Sequence, residues 1–469
     1  MRRLLGVALA AALPFPARAF AAFTDPSHPN APVRWPSSSV GVVLQSDGSD
    51  DVTDGSDLAA VRAAITQWNT ALGGRLTVTE GAPVSSRAWG DDGVNAVIFV
   101  ESGWPGAADG ALGTTIPNIQ AGNPSTFTDA DVLLNGTEAP WVTDGNPFGV
   151  DVQSIAGHEL GHLLGLWHAW DSRVAMYTGA RRGTTFRHQL SDDDIRGARY
   201  LSPGAFTCTS NADCPLLIRR LGGENTRLVC NGGACVPGAA GYGAECVDDN
   251  QCTTGLCLRD VWSTDGYDPG ACSRACTPGG TDCQAGDACA AVGAAHVCAP
   301  GRGCVVDADC GGGSNNRCLL DFDGAYRCRH LCMRDGNCTA PARCIDLGYG
   351  AGICAEPGTR PTGDACLNPY QCVGLACRGA AGDLRCAVAP PKEDGGVVVV
   401  PDAGPRTDAG TPRPDGGTAD AAGPYYPPYE EVPEEPPPDD GCACAAPGRA
   451  PAWWRVLLSA LFLARRRVR

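Results

Sequence analysis

Eleven residues carry the chemistry most readily read from this chain: His158-Glu159-Leu160-Gly161-His162-Leu163-Leu164-Gly165-Leu166-Trp167-His168. His158 and His162 stand four apart, so a helix puts both imidazoles on one face. Val152, Ala156, Leu160 and Leu163 fall roughly opposite and can pack on a core. Two imidazoles one turn apart suit a tetrahedral Zn2+. Glu159, beside the first ligand, can reach a water from the side and take its proton. Gly165 can adopt the left-handed conformation that stops a helix and turns the chain. That turn lets His168 supply a third ligand. Three neutral nitrogens leave a fourth position open, as hydrolysis requires. Three of the seven histidines lie in this stretch, so one Zn2+ is the expected cofactor.

Elements must hold these residues in place. Residues 56–72 read as an amphipathic helix, with Leu58, Val61, Ile65, Trp68 and Leu72 on one face. Ser56 or Asp57 is the expected cap and Gly73-Gly74 the stop. Residues 40–44, 76–79, 94–100 and 127–134 read as strands. In the last, Ala130, Val132 and Leu134 share a face. The expected fold class is therefore α/β (α+β), over residues 23–205. The acidic loop Asp47–Asp57 reads as a solvated turn. Val52 breaks the spacing of a calcium loop, so calcium finds no motif here.

The full H-E-x-x-H-x-x-G-x-x-H pattern resembles the metzincin zinc metalloproteases. Met176, eight residues after His168, sits where that clan carries a methionine turn below the metal. Gly161 and Leu164-Gly165-Leu166 are similar to the matrixin zinc helix. Leu190-Ser191-Asp192-Asp193-Asp194-Ile195-Arg196-Gly197 resembles the matrixin C-terminal helix. The resemblance implies that Asp193 and Asp194 support the methionine turn. It also implies a zinc endopeptidase acting on protein or peptide substrates through a metal-activated water. No Cys precedes Cys208, so the cysteine latch of animal matrixins has no counterpart, and the family's calcium loops are not recognisable.

The remaining sequence is organised differently. Twenty-four cysteines between Cys208 and Cys386 form six groups of four over residues 206–388. Each group opens on a near-constant pair: Cys208/Cys214, Cys246/Cys252, Cys276/Cys283, Cys304/Cys310, Cys332/Cys338 and Cys366/Cys372. Acids or amides often precede the second member. Modules this small cannot bury enough apolar surface alone, so twelve disulfides are expected, mostly within each group. Three connectivities per group stay open. The array is either a protease-resistant spacer or a surface that binds substrate or cell surface. All catalytic candidates precede it, so small-peptide hydrolysis is expected to survive its removal.

Both ends read as targeting segments. Arg2-Arg3, the apolar run Leu4–Leu13 and Ala17-Arg18-Ala19 form a signal peptide within residues 1–22, cleaved after Ala19 or Ala22. Residues 389–441 are a Pro/Asp/Gly-rich, disordered linker. Residues 442–469 begin Cys442-Ala443-Cys444, continue through a short hydrophobic run and end in an Arg cluster. This end is similar to the C-terminal sorting tails of myxobacterial surface proteins. That resemblance implies transient membrane contact and makes Cys442 a processing or lipid site. Dense cysteines and a signal place the protein outside the cytoplasm, secreted or at the cell surface (outer membrane). A formal charge of −16 argues against nucleic acid. The alternative function is a surface adhesion protein whose array does the work and whose protease fold is vestigial.

Overall fold

The computed structural model describes residues 20–388, apart from short stretches at 26–27, 29, 86–87, 109, 123–124, 220–224, 260–267, 293–294, 312–314, 348–351 and 381. The linker, the sorting tail with Cys442, and residues 1–19 lie outside the described residues.

Within the first half, β1 (Ala21–Thr24) precedes β2 (Ser39–Leu44), α1 (Ser56–Leu72), β3 (Thr77–Glu80), β4 (Ala96–Val100), β5 (Gly113–Gln120) and β6 (Thr126–Asn135). A short pair follows, β7 (Trp141–Val142) with β8 (Val150–Asp151), then α2 (Val152–Leu163) and α3 (Asp192–Leu201). Five strands form one sheet in the order β3-β2-β4-β6-β5. All pairs are parallel except β5 with β6, which leaves β5 as an antiparallel edge.

Central strands of such a sheet are covered on both faces and need apolar residues on both. Val97, Phe99, Ala130, Val132 and Leu134 face α1 and α2 in the main core. Ala96, Ile98, Val100, Ile116 and Leu133 form a second cluster on the other face, with Trp89 and Trp104 against it. The α1 helix spans the expected residues, but its cap differs from expectation. Gly55 is the N-cap, and with no side chain it offers no acceptor to the first helical N–H groups. Asp57 instead turns back and accepts from Ser49 N at 2.6 Å. The Asp47–Asp57 loop is thus tied to the helix by a buried carboxylate and is not simply a solvated turn.

The sequence reading missed β1 and β5. Phe20, Ala21, Ala22 and Phe23 are all buried. The β1 strand pairs in parallel with β9 (Leu216–Arg219), which lies beyond Cys208. Cys208, Cys214, Leu217 and Leu228 join the same core as α1 and α2. The apolar core therefore continues past residue 205 into the first cysteine module.

All twelve disulfides form, and each group of four pairs its first cysteine with its third and its second with its fourth. Cys208–Cys230 with Cys214–Cys235 and Cys366–Cys377 with Cys372–Cys386 are the outermost examples. One hydrogen bond recurs in every group. The residue before the second cysteine accepts from the backbone N–H just after the first. The acceptors are Asp213, Gln251, Asp282, Asp309, Asn337 and Gln371. An acid or amide is needed there because only a side-chain oxygen of that reach can close the loop.

Candidate metal centre

The α2 helix positions the first two histidines. Asp151 caps its start, accepting from Ser154 N at 2.8 Å. Trp68 on α1 donates from Nε1 to Gly157 O at 2.8 Å, and Trp35 Nε1 donates to Leu163 O at 2.7 Å at the other end. Gly161 is required by close approach: a Cβ there would lie 2.2 Å from Met176 Sδ. Gly165 follows with φ +100°, the left-handed turn the spacing predicts.

His158, His162 and His168 are all buried, and one nitrogen from each lies within 4.8 Å of the others. The Nε2 atoms of His158 and His162 are 3.2 Å apart. Tetrahedral zinc with bonds of about 2.05 Å needs nitrogens about 3.3 Å apart. Each Nδ1 is already engaged. His158 Nδ1 donates to Ala175 O at 2.7 Å and His162 Nδ1 to Leu166 O at 2.8 Å. His168 Nδ1 donates to Asp268 Oδ1 at 2.6 Å. Carbonyl and carboxylate oxygens only accept, so each Nδ1 carries a proton and Nε2 is the nitrogen left to ligate. His168 Nε2 is buried with no hydrogen-bond partner. Burial, then the neighbouring His162 and Arg187, hold His158 well below the ordinary histidine range. Three rings anchored through Nδ1, each offering its other nitrogen to one point, fit Zn2+.

Glu159 is buried beside the triad. Thr115 on β5 donates its hydroxyl to Glu159 Oε2 at 2.8 Å, and the same hydroxyl lies 3.0 Å from the Glu159 carbonyl. Met176 passes under Gly161. Asp194 accepts from Ala175 N at 3.0 Å and Met176 N at 3.2 Å, and from the Ser191 hydroxyl at 2.7 Å. Burial pushes the Asp194 carboxyl up, against these bonds. Asp193 sits one position away and faces Arg196 at 3.6 Å.

Several neighbours escaped the sequence reading. Arg187 is buried and donates from Nη2 to Tyr177 O and Gly179 O, both at 2.6 Å, just after the methionine turn. Its burial lowers the guanidinium to about 10. His188 Nε2 lies 2.6 Å from Asp151 Oδ1, linking the α2 cap to the segment before α3. Thr115 and Asp268 had no local signal, since their partners lie far away in sequence. Arg187 had no local signal either, since its burial and its partners Tyr177 and Gly179 appear only in the fold.

Comparison with known proteins adds the family. Residues 106–202 match the matrixin family. Over this segment the chain is similar to the matrixin metalloproteases. Human matrilysin is 36% identical over 103 residues, covering 20% of this chain and 38% of matrilysin. Metalloendoproteinase 2-MMP of Arabidopsis thaliana is 33% identical over 100 residues, 20% of this chain and 24% of that protein. Stromelysin-3 of Xenopus laevis is 40% identical over 80 residues, 17% of this chain and 16% of that protein. The chain thus spans well under half the length of these relatives. The matched segment holds β5, α2, the methionine turn and α3, and the family carries zinc. The disulfides that follow it fit an extracellular protein. No helix among the described residues is long and apolar enough to cross a membrane.

Proposed function

We propose that this protein is an exported zinc endopeptidase whose centre is His158, His162 and His168, with Glu159 as general base. The observation that carries the reading is the triad itself: three buried imidazoles, each anchored through Nδ1, with one nitrogen of each converging on the others. Zn2+ held there would polarise the scissile carbonyl and activate water.

Glu159 takes a proton from the attacking water and passes it to the leaving amine. The Thr115 hydroxyl fixes one carboxylate oxygen, which orients the other. Met176 supports the ligands from below, and Asp194 holds that turn by its two backbone N–H groups. Asp193 faces Arg196 one turn along α3. The β5 strand borders α2 and pairs only with β6 among the described residues. An extended peptide laid along that edge would bring a backbone bond beside Glu159. The signal peptide directs export, and the tail from Cys442 gives a transient membrane contact before the protein is released or held at the cell surface.

The test is digestion of a proteome-derived peptide library by the purified, oxidised chain, with and without chelator. Wild type is expected to cleave and to stop when zinc is removed. Glu159→Ala is expected to keep one zinc and lose on the order of 10²–10⁴-fold in hydrolysis. An active Glu159→Ala refutes the assigned base. Wild type that binds zinc but cleaves nothing favours the adhesion reading.

A further inference from the structure

The three zinc-ligating histidines are not held alike. His158 and His162 each donate to a backbone carbonyl from the same half of the molecule, Ala175 and Leu166. His168 donates to a carboxylate that arrives from one hundred residues away, in the second cysteine module. Asp268 lies two residues before the strand Gly270–Cys272. That strand is clamped between Glu245–Cys246 and Cys257–Leu258, and Cys272 is bonded to Cys252. The carboxylate therefore lies two residues from a strand held by pairing on both sides and by a disulfide.

The same module and its neighbour hold the chain two residues further on. Trp170 N donates to Glu245 Oε1 at 2.9 Å, and Trp170 Nε1 donates to Pro300 O at 3.0 Å. The Arg302 guanidinium lies 3.7 Å from the Trp170 ring centroid. The Trp170 side chain is buried among Leu258, Ala271, Ala290, Val297, Ala299 and Val305, all from the array. The loop that presents the third ligand thus finds its packing partners in the array.

Resting on the zinc reading above, we propose that the second cysteine module is part of the metal centre and that Asp268 is a positioning residue for His168. A carboxylate accepting from Nδ1 fixes the ring's rotation and tautomer. It also makes Nε2 a stronger donor than a carbonyl partner would. The array then supplies one side of the zinc site, and the spacer reading of this module falls away.

The experiment uses the full, oxidised chain carrying Asp268→Ala, Asp268→Asn or Asp268→Glu. Zinc affinity is measured by competition with a chromophoric chelator. The absorption bands of the cobalt-substituted protein and the Tm of the metal-free protein are recorded alongside. Asp268→Ala is expected to weaken zinc binding by about 10–100-fold, the usual cost of losing such a partner. Asp268→Asn keeps an acceptor without the charge and is expected to fall between. Asp268→Glu is expected to recover part of the loss, and the cobalt bands are expected to shift in Asp268→Asn while the metal-free Tm stays unchanged. If Asp268→Ala lowers the metal-free Tm, Asp268→Asn and Asp268→Glu decide. Zinc affinities within twofold of wild type and unshifted cobalt bands overturn the proposal and leave the zinc centre standing. Wild type that binds no zinc overturns the zinc centre as well.

Discussion

Between Phe20 and Leu201, large apolar side chains from α1, α2 and the five-stranded sheet meet in one core, with Trp68, Phe99 and Leu134 among its buried members. Between Cys246 and Cys386 the apolar clusters are small, and two of them consist mainly of cystine. The first region spends chain length on burying surface. The second closes loops of 11 to 20 residues with paired disulfides and one repeated side-chain bond. Small modules cannot do otherwise, because their surface is too large for their volume. The difference teaches where the zinc site must be built. Two ligands come from a helix inside the apolar core. The third, His168, stands where that core ends and the cystine modules begin.

Deleting residues 206–388 is expected to break this arrangement most severely. The sequence reading expected small-peptide hydrolysis to survive that deletion. The structure points the other way. The deletion strips Leu217 and Leu228 from the main core, Leu216 and Ile218 from the cluster around Phe23, and every apolar neighbour of Trp170. Residues 20–205 alone are expected to lack a cooperative thermal transition, as read by circular dichroism, and to bind zinc weakly. A truncated protein with the Tm and zinc affinity of the whole chain would show two independent regions.

A smaller effect is expected at the strand that joins them. Cleavage of the signal after Ala19 leaves β1 whole, whereas cleavage after Ala22 removes Phe20, Ala21 and Ala22. The Phe20 ring packs at a tilt on Tyr200 of α3, centroids 5.5 Å apart, and its carbonyl accepts from Leu216 N at 2.9 Å. The mature N-terminus is expected to be Phe20, read by intact mass or N-terminal sequencing. A chain begun at Phe23 is expected to be less stable by about 3–5 kcal/mol, the cost of emptying a buried Phe site.

The smallest expected effect is in pH dependence, where the regions have opposite signs. Burial pushes the Asp131 carboxyl, under the sheet, up to about 6. Its folded form holds a proton that the unfolded chain releases, so its contribution is present at low pH and lost as pH rises through about 6. In the array, burial acts in the same direction on Asp213. The N–H groups of Thr209 and Ser210 and the Thr209 hydroxyl outweigh it and hold the carboxyl below its ordinary value. That contribution is present at neutral pH and lost as pH falls below the usual carboxylate range. Denaturant titrations from pH 3 to 7 on Asp131→Asn and Asp213→Asn are expected to change the slope in opposite directions. Equal slopes would mean the two carboxylates are not environmentally distinct.

What the sequence made legible follows the same division. The four-residue spacing of His158 and His162, the turn at Gly165 and the apolar stripe of α1 are local patterns, and the structure contains them. Met176 and Asp194 are legible only through a resemblance to a family; in the fold Asp194 accepts from the N–H groups of Ala175 and Met176. The alternating pattern of Ala130, Val132 and Leu134 identified one face of β6 but not that Leu133 is buried on the other, because a parallel sheet covers both. The apolar residues of β1 were absorbed into the signal peptide, whose composition they share. Asp268, Glu245 and Arg302 looked like ordinary polar residues of a cysteine-rich repeat. Nothing near them in sequence marks His168 or Trp170 as their partners, since only the folded array brings them together.

X-ray absorption at the zinc edge, on the full oxidised chain loaded with one equivalent of metal, tests the central claim most directly. The expected spectrum has three imidazole nitrogens at about 2.0–2.1 Å, one further light atom and no sulfur. Sulfur scattering at about 2.3 Å, or a spectrum unchanged by replacing His168 with Ala, would place the metal elsewhere and contradict a histidine centre at the junction of the two regions.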